Sequence, residues 1–292
     1  MKIVQILGGI GNQMFQYAFL IALRENFHQE VLMDTKLFKT YPFHNGFELD
    51  RVFNITAREA TKDETAKVYH RYFLDNFNIS KIYRKFPIKP CTQIDEPTDR
   101  HFMPELFLNV GNAYYIGYWQ DRNYFSEFSE FIKKEFSFKN DLDSHNYDVY
   151  NRLLQTNSVS IHVRRGDYLN DPIYKGICGV DYYESAIKMI MNGSLENQVF
   201  VIFSNDIQWC KKYIFPLIDS CNECLIVDWN KGRDSYKDMQ LMSACKANII
   251  ANSSFSYWGA YLNVNSDPIV IAPKVWSNGQ KAERQLPNWK LI

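Results

Sequence analysis

Val159-Ser-Ile-His-Val-Arg-Arg-Gly-Asp-Tyr168 decides how the chain is read, because a run of strand-forming residues ends abruptly in two arginines, a glycine and a carboxylate. With helical patterns on both sides, such a run reads as a central strand of a parallel sheet. Side chains alternate along a strand, so His162 and Arg164 share one face and Val163 and Arg165 the other. One arginine can then point at a ligand while its neighbour braces the loop. In an open α/β sheet ligands bind outside the carboxyl ends of the strands. Adjacent guanidiniums there suit a phosphate or diphosphate, which arginine grips in bidentate fashion. Gly166 permits a tight turn, and Asp167 either locks Arg165 or takes a proton as a base. The plain alternative is a structural Arg–Asp pair at a strand end.

Downstream the same pattern repeats. Val199–Phe203 is followed by Ser204-Asn-Asp206, Leu225–Val227 by Asp228, Asn248–Ala251 by Asn252-Ser-Ser254, and Ile269–Ala272 by Pro273-Lys274. Each short apolar run ends in polar residues, and most are separated by helical segments, which is the signature of a doubly wound sheet with its loops gathered on one edge. Asp206 or Asp228 can accept hydrogen bonds from a guanine edge, and the helix start at Ser253, Ser254, Phe255 and Ser256 can offer N–H and hydroxyl donors to phosphate. Each has a plainer reading: Asp206 as a helix cap, and Asp238 as the partner of Ser235 in a capping box.

Upstream, Met1–Leu7 reads as a first strand rather than a signal peptide, since it runs at once into Gly8-Gly-Ile-Gly-Asn-Gln-Met14. Gly8, Gly9 and Gly11 lack the third glycine of a dinucleotide fingerprint, but they allow close backbone approach at the mouth of a helix over about 12–26. That helix is apolar nearly all round and therefore interior. Its amino end presents Asn12 and Gln13 to a cleft, or Asn12 simply caps it. Val31–Asp34 and Tyr114–Trp119 read as strands, and 121–135 and 144–155 as helices. From Lys36 to Glu105 aromatics, prolines and charges interleave, as expected of a variable region that meets an acceptor. Asp141-Leu-Asp143 matches an Asp-x-Asp metal motif, yet it precedes a helix that Asp143 or Ser144 would cap.

Composition narrows the classes. The 292 residues suffice for two cored domains, and 33 basic against 33 acidic residues give no net charge to attract nucleic acid. The six cysteines show no disulfide rhythm, so a reducing compartment is expected, and Cys221-Asn-Glu-Cys224 lacks the second pair a metal knuckle needs. No stretch approaches a membrane span. Four Asn-x-Ser/Thr sequons (Asn54, Asn78, Asn192, Asn252) matter only if the chain is secreted.

Taken together, Gly8-Gly-Ile-Gly-Asn-Gln-Met-Phe-Gln-Tyr-Ala18, His162-Val-Arg-Arg-Gly-Asp-Tyr168, Phe203-Ser-Asn-Asp206, and Asp238-Met-Gln-Leu-Met-Ser-Ala-Cys245 with Ile249-Ile-Ala-Asn-Ser-Ser-Phe-Ser-Tyr-Trp-Gly-Ala260 resemble the α-1,2-fucosyltransferases of glycosyltransferase family eleven. The resemblance runs from residue 1 to about 275. It implies an α/β fold of GT-B type, two Rossmann-like domains facing a central cleft, with an acceptor-side domain over 1–150 and a donor domain over 151–292. It implies GDP-fucose as donor, inversion at the anomeric carbon, no metal or other cofactor, and as acceptor the 2-hydroxyl of a terminal β-galactoside.

Carried over by residue, His162 and Arg164 hold the donor, with Arg164 on the β-phosphate. Arg165, Asn205, Asp206, Asp238, Asn252, Ser253, Ser254, Phe255 and Ser256 complete the donor pocket, and Gly9, Asn12 and Gln13 belong to the acceptor or cleft side. Asn205 departs from the Ser-Asp-Asp form of related enzymes, which leaves Asp206 as the acidic guanine contact. Asp167 is the candidate base, with a salt bridge to Arg165 as its rival role. The expected setting is cytoplasmic, with room for peripheral contact at the inner membrane face where lipid-linked glycans are built. A transferase of another linkage or donor, and a silent nucleotide- or glycan-binding protein, are the competing readings.

Overall fold

The computed structural model describes residues 1–41, 43–69, 92–218 and 220–292. They form two compact units, one of 1–137 with 280–283 and the other of 138–279 with 284–292.

In the first unit, strands β1 (Lys2–Gln5), β2 (Val31–Asp34), β3 (Gln93–Asp95) and β4 (Ala113–Ile116) form a wholly parallel sheet in the order β2-β1-β4-β3. Helix Ile10–Phe27 starts earlier than its apolar pattern suggests, because extended Gly9 (φ −73°, ψ 166°) already serves as its N-cap. It ends where His28 turns left-handed (φ 48°). Met14, Phe15 and Tyr17–Leu23 are all buried, so the expected interior helix is found. The helix expected over 121–135 is broken. Asp121 accepts a bond from the Asn123 N–H (2.9 Å) and starts a 3₁₀ turn, Phe125 leaves helical geometry (φ −138°) with its ring on Phe15, and only Ser129–Glu135 is α-helical. Within the stretch read as loose, helix Lys62–Val68 is opened by a full capping box between Thr61 and Glu64, and β3 was not anticipated. Residues 70–91 of that stretch, with Asn78 and Cys91, lie outside the described residues.

In the second unit, β5 (Asn157–Val163), β6 (Gln198–Ser204), β7 (Glu223–Val227), β8 (Ala247–Ile249), β9 (Ile269–Ala272) and β10 (Lys290–Leu291) lie parallel in the order β10-β9-β8-β5-β6-β7. Val159, Ile161 and Val163 pack with Phe200 and Ile202 against helix Val180–Met191 on one face. Val199, Val201 and Phe203 pack against helices Ser144–Gln155 and Tyr236–Ala244 on the other. This is the doubly wound sheet that the repeated polar-ended strands foretell. The units divide between Ser137 and Phe138 rather than at 150, because helix Ser144–Gln155 buries Leu153 in the second unit's core. Among the described residues no helix is long and apolar enough to cross a membrane.

Candidate functional site

From β5 the chain steps to β6 and β7 on one side of the second sheet, whereas β8, β9 and β10 lie on the other. The topological switch point, where ligands of open α/β sheets bind, therefore falls between β5 and β8. Arg164 follows β5 there, and Asn252–Ser256 follow β8.

The two arginines diverge as strand alternation requires. Arg164 carries Asp167 on its guanidinium (Nη2 to Oδ1 2.8 Å) and lies over the Tyr168 ring, 5.4 Å from its centroid. Arg165 turns towards β6: its Nε meets Asp206 Oδ2 at 3.1 Å, its guanidinium stacks 4.2 Å from Trp209, and its backbone N–H donates to Asn205 Oδ1 (2.9 Å). The expected Asp167–Arg165 lock is thus not formed, because the 3₁₀ turn Gly166–Leu169 aims Asp167 back at Arg164. Gly166 is required here. Its φ is +39°, and a Cβ on it would stand 2.6 Å from the Asn205 amide nitrogen.

Asp206 is committed on both oxygens, for Oδ1 also accepts from the Trp209 N–H (3.1 Å). The capping reading of Asp206 is therefore realised, and a guanine edge would have to share each oxygen with a bond already made. Asp238 is different. Oδ1 accepts from Asn230 Nδ2 (2.8 Å), and burial first of all pushes its carboxyl up to about 7. The capping box expected between Ser235 and Asp238 does not form, since the 3₁₀ turn Gly232–Asp234 brings Ser235 into helical geometry (φ −57°, ψ −24°) instead of the extended form a cap needs. Asn230 belongs to a chain of bonds with Asn146 and Trp229, and Asn146 is bonded in turn by Asp143, which caps helix Ser144–Gln155 and pairs with Lys237 (2.9 Å). Asp143 thus takes the capping role expected of it. Among the described residues no three His, Cys, Asp or Glu side chains group as metal ligands.

His162 is buried, its ring 5.8 Å from Phe255, and among the described residues its Nδ1 has no partner. Burial first, then the charge of Arg164, lowers its pKa to about 3, so it is a neutral imidazole at physiological pH. Ser253 caps helix Ser254–Tyr261 and bonds the Tyr168 phenol, which joins the β8 loop to the Arg164 turn. Ser254 and Phe255 remain partly exposed, whereas the Ser256 hydroxyl folds back on Ala251 and Ser253 carbonyls (3.4 and 3.3 Å). Asn252 is a buried brace, donating to the Trp276 carbonyl at 3.1 Å.

In the first unit, Gln13 is wholly buried and bonds the Gly8 and Gly46 carbonyls (2.8 Å each) and the Glu48 N–H (2.9 Å). It staples a loop to the helix start instead of reaching a ligand. Asn12 is partly exposed, accepts from Gln120 Nε2 (2.8 Å) and is not the cap, because Gly9 is. A Cβ on Gly9 would press on His44 (3.2 Å).

The family model for glycosyl transferase family 11 matches residues 1–292. The chain belongs to glycosyl transferase family 11. Among curated proteins it is 33% identical over 279 residues to an alpha-1,2-colitosyltransferase of Escherichia coli, covering 94% of this chain and 91% of that one. It is 25% identical over 276 residues to galactoside alpha-(1,2)-fucosyltransferase 1 of Leontocebus fuscicollis, covering 91% and 66%. Among solved structures, NodZ alpha-1,6-fucosyltransferase soaked with GDP-fucose superposes with a TM-score of 0.55 at 13% identity, over 94% of each chain. That likeness bears out the α/β fold of GT-B type.

Family 11 membership confirms the resemblance carried by the four sequence blocks. Sequence reasoning named the residues at the strand ends but missed Tyr168, Trp209, Asn230 and Asn146, which hold them. Only Tyr168 carried a signal, lying within the strand-end block itself.

Proposed function

We propose that this family 11 chain is an inverting, metal-free transferase that moves L-fucose from GDP-β-L-fucose to the 2-hydroxyl of a terminal β-galactoside. The observation that carries the reading is Arg164 at the β5/β8 switch point, flanked by neutral His162, Phe255 and the start of helix Ser254–Tyr261. Loss of GDP from the fucosyl carbon leaves charge on the β-phosphate, and Arg164 with the helix-start N–H dipoles meets that charge. Asp167 orients Arg164; the bond from the fucosyl carbon to the β-phosphate oxygen breaks as the bond to the acceptor oxygen forms, and the acceptor's proton passes to solvent water. Asp238 is preferred to Asp206 as the carboxylate for the guanine N–H groups, because Asp206 already holds a bond on each oxygen whereas Asp238 is bonded at Oδ1. His162 walls the pocket as a neutral ring beside Phe255.

A second donor is favoured by the colitosyltransferase relative. Colitose is fucose without its 3-hydroxyl, so the same diphosphate and guanine contacts serve either sugar. The deciding experiment measures GDP release in EDTA from GDP-fucose and from GDP-colitose, with and without lactose, for the wild type and Arg164→Ala. Lactose-dependent release from GDP-fucose that survives EDTA and falls 10²- to 10³-fold in the variant is expected. A strong preference for GDP-colitose would transfer the reading to that donor, and GDP binding without release from either would leave a silent nucleotide-binding protein.

A further inference from the structure

The first sheet has its own switch point. β1 leads to β2 on one side, while β4 and β3 lie on the other, so the crevice falls between the carboxyl ends of β1 and β4. Two residues without glycine's freedom take left-handed backbone there, Arg100 after β3 (φ 53°) and Trp119 after β4 (φ 52°). Such strain persists only where the surroundings enforce it, and it gathers at functional sites. At Trp119 the enforcer is Glu96, whose carboxylate accepts the N–H groups of Tyr118 (2.8 Å) and Trp119 (2.9 Å), and at Arg100 the backbone N–H closes a turn onto the Pro97 carbonyl (2.9 Å). What the two bends achieve is a chain of directed bonds. Arg100, stacked 4.7 Å from the Tyr118 centroid, donates Nη1 to Gln120 Oε1 (3.0 Å), and Gln120 Nε2 donates to Asn12 Oδ1 (2.8 Å).

The chemistry of that chain has one sense. A guanidinium has donors and no acceptor, so it dictates which end of the Gln120 amide faces it. Gln120 must then offer its NH₂ to Asn12, and Asn12 must offer its own NH₂ outward. Among the described residues that NH₂ has no acceptor. It stands beside Gly8, where an added Cβ would lie 3.1 Å from Asn12 Nδ2 and 3.6 Å from the Tyr118 ring. Gly8 (φ +90°) thus keeps the amide uncovered.

We infer that Arg100 and Gln120 are positioning residues for the acceptor. They act through Asn12 to present a fixed amide donor to an oxygen of the incoming galactoside, while Arg100 touches no substrate. This rests on the galactoside reading above. The sense of the relay makes it testable by an isosteric change. In Gln120→Glu the carboxylate still accepts from Arg100, but it draws the Asn12 NH₂ inward and turns Oδ1 towards the acceptor. KM for lactose then rises about tenfold, the worth of one hydrogen bond, with KM for GDP-fucose within about twofold of wild type and an unchanged melting temperature. Asn12→Ala gives a similar rise, and the double variant is no worse than Asn12→Ala alone, because Gln120 acts only through Asn12. Arg100→Lys, still a donor without acceptor, retains most of the lactose affinity, whereas Arg100→Gln does not. Additive effects in the double variant, or a wild-type lactose KM in Gln120→Glu, would overturn the inference while leaving the transferase reading intact. A wild-type enzyme that releases GDP from GDP-fucose with no dependence on lactose would sink the galactoside reading, and the relay with it.

Discussion

Asp206 closes on Arg165 from the neighbouring strand, one oxygen 3.1 Å from Nε and the other capping the turn at Trp209. A carboxylate spent in this way holds the β5 and β6 ends together and has little left for a nucleobase. Asp206→Asn should keep the cap, cost about 0.5–1 kcal/mol in a partly exposed pair, and raise the donor KM only a few-fold. Asp206→Ala should cost about 1–2 kcal/mol. Asp238→Asn should raise the donor KM much more than either. Thermal melts and donor titrations check the order, and a larger donor effect at Asp206 than at Asp238 would restore the guanine role to Asp206.

Asp167 grips Arg164 with both oxygens within 2.9 Å of Nη2. As an orienting group, its replacement by Asn should retain a bond to the guanidinium and lower kcat less than about tenfold. Loss of a general base typically costs 10²–10⁴. Single-turnover rates for Asp167→Asn separate the two roles, and a fall of a hundredfold or more would make Asp167 the base.

Burial raises the Asp238 carboxyl to about 7, against roughly 3.9 in an unfolded chain. The folded state holds this proton more tightly, so its contribution to stability is full below about pH 4 and is lost as pH rises to about 7. Melting temperatures should therefore show Asp238→Asn gaining on the wild type across that window and holding the gain above it. The ionised form is the one that accepts guanine N–H groups, so the wild-type donor KM should fall from pH 6 to 8, while that of Asp238→Asn stays high and flat.

Gln13, itself buried, bonds three backbone groups. Gln13→Ala strands all three and should cost about 2–4 kcal/mol, read as a drop in melting temperature with the acceptor KM of the surviving folded enzyme nearly unchanged. A selective loss of acceptor affinity at full stability would return Gln13 to the substrate side.

Secretion of the chain would test burial directly. Asn54 and Asn192 are exposed and should accept glycans, whereas Asn252, 2% exposed and bonded to the Trp276 carbonyl, should not. Mass spectrometry of the secreted protein gives the occupancies.

What the sequence discloses about this molecule is what depends on periodicity and on chain-local chemistry. The strand ends at Arg164, Asp206 and Asn252 were legible because a buried parallel strand must be apolar and its loop must not be. Asp143 was legible as a cap because its partner is three residues away. Pairings across the sheet were not. Nothing in Arg-Arg-Gly-Asp says that the second arginine reaches Asp206 on β6 while the first keeps Asp167, since that choice is made by the turn at Gly166. Gln13 looked like a ligand group only because the loop it staples lies 33 residues downstream in sequence. Trp119 gave no signal at all, for its left-handed backbone is held by Glu96, 23 residues upstream.

The four residues 280–283 belong with the first unit although they come after nearly all of the second. The Lys281 N–H donates to the Asp99 carbonyl (2.7 Å), the Glu283 N–H donates to Asp121 Oδ2 (2.8 Å), and the Glu283 carbonyl accepts from the Arg122 N–H (2.7 Å). During synthesis the amino-terminal unit therefore emerges first yet stays unfinished until residues 280–283 have been made. A ribosome-stalled chain ending near residue 270 should hold that unit in a looser, protease-sensitive state, and neither unit can be excised as one uninterrupted gene fragment without leaving the other's clasp behind.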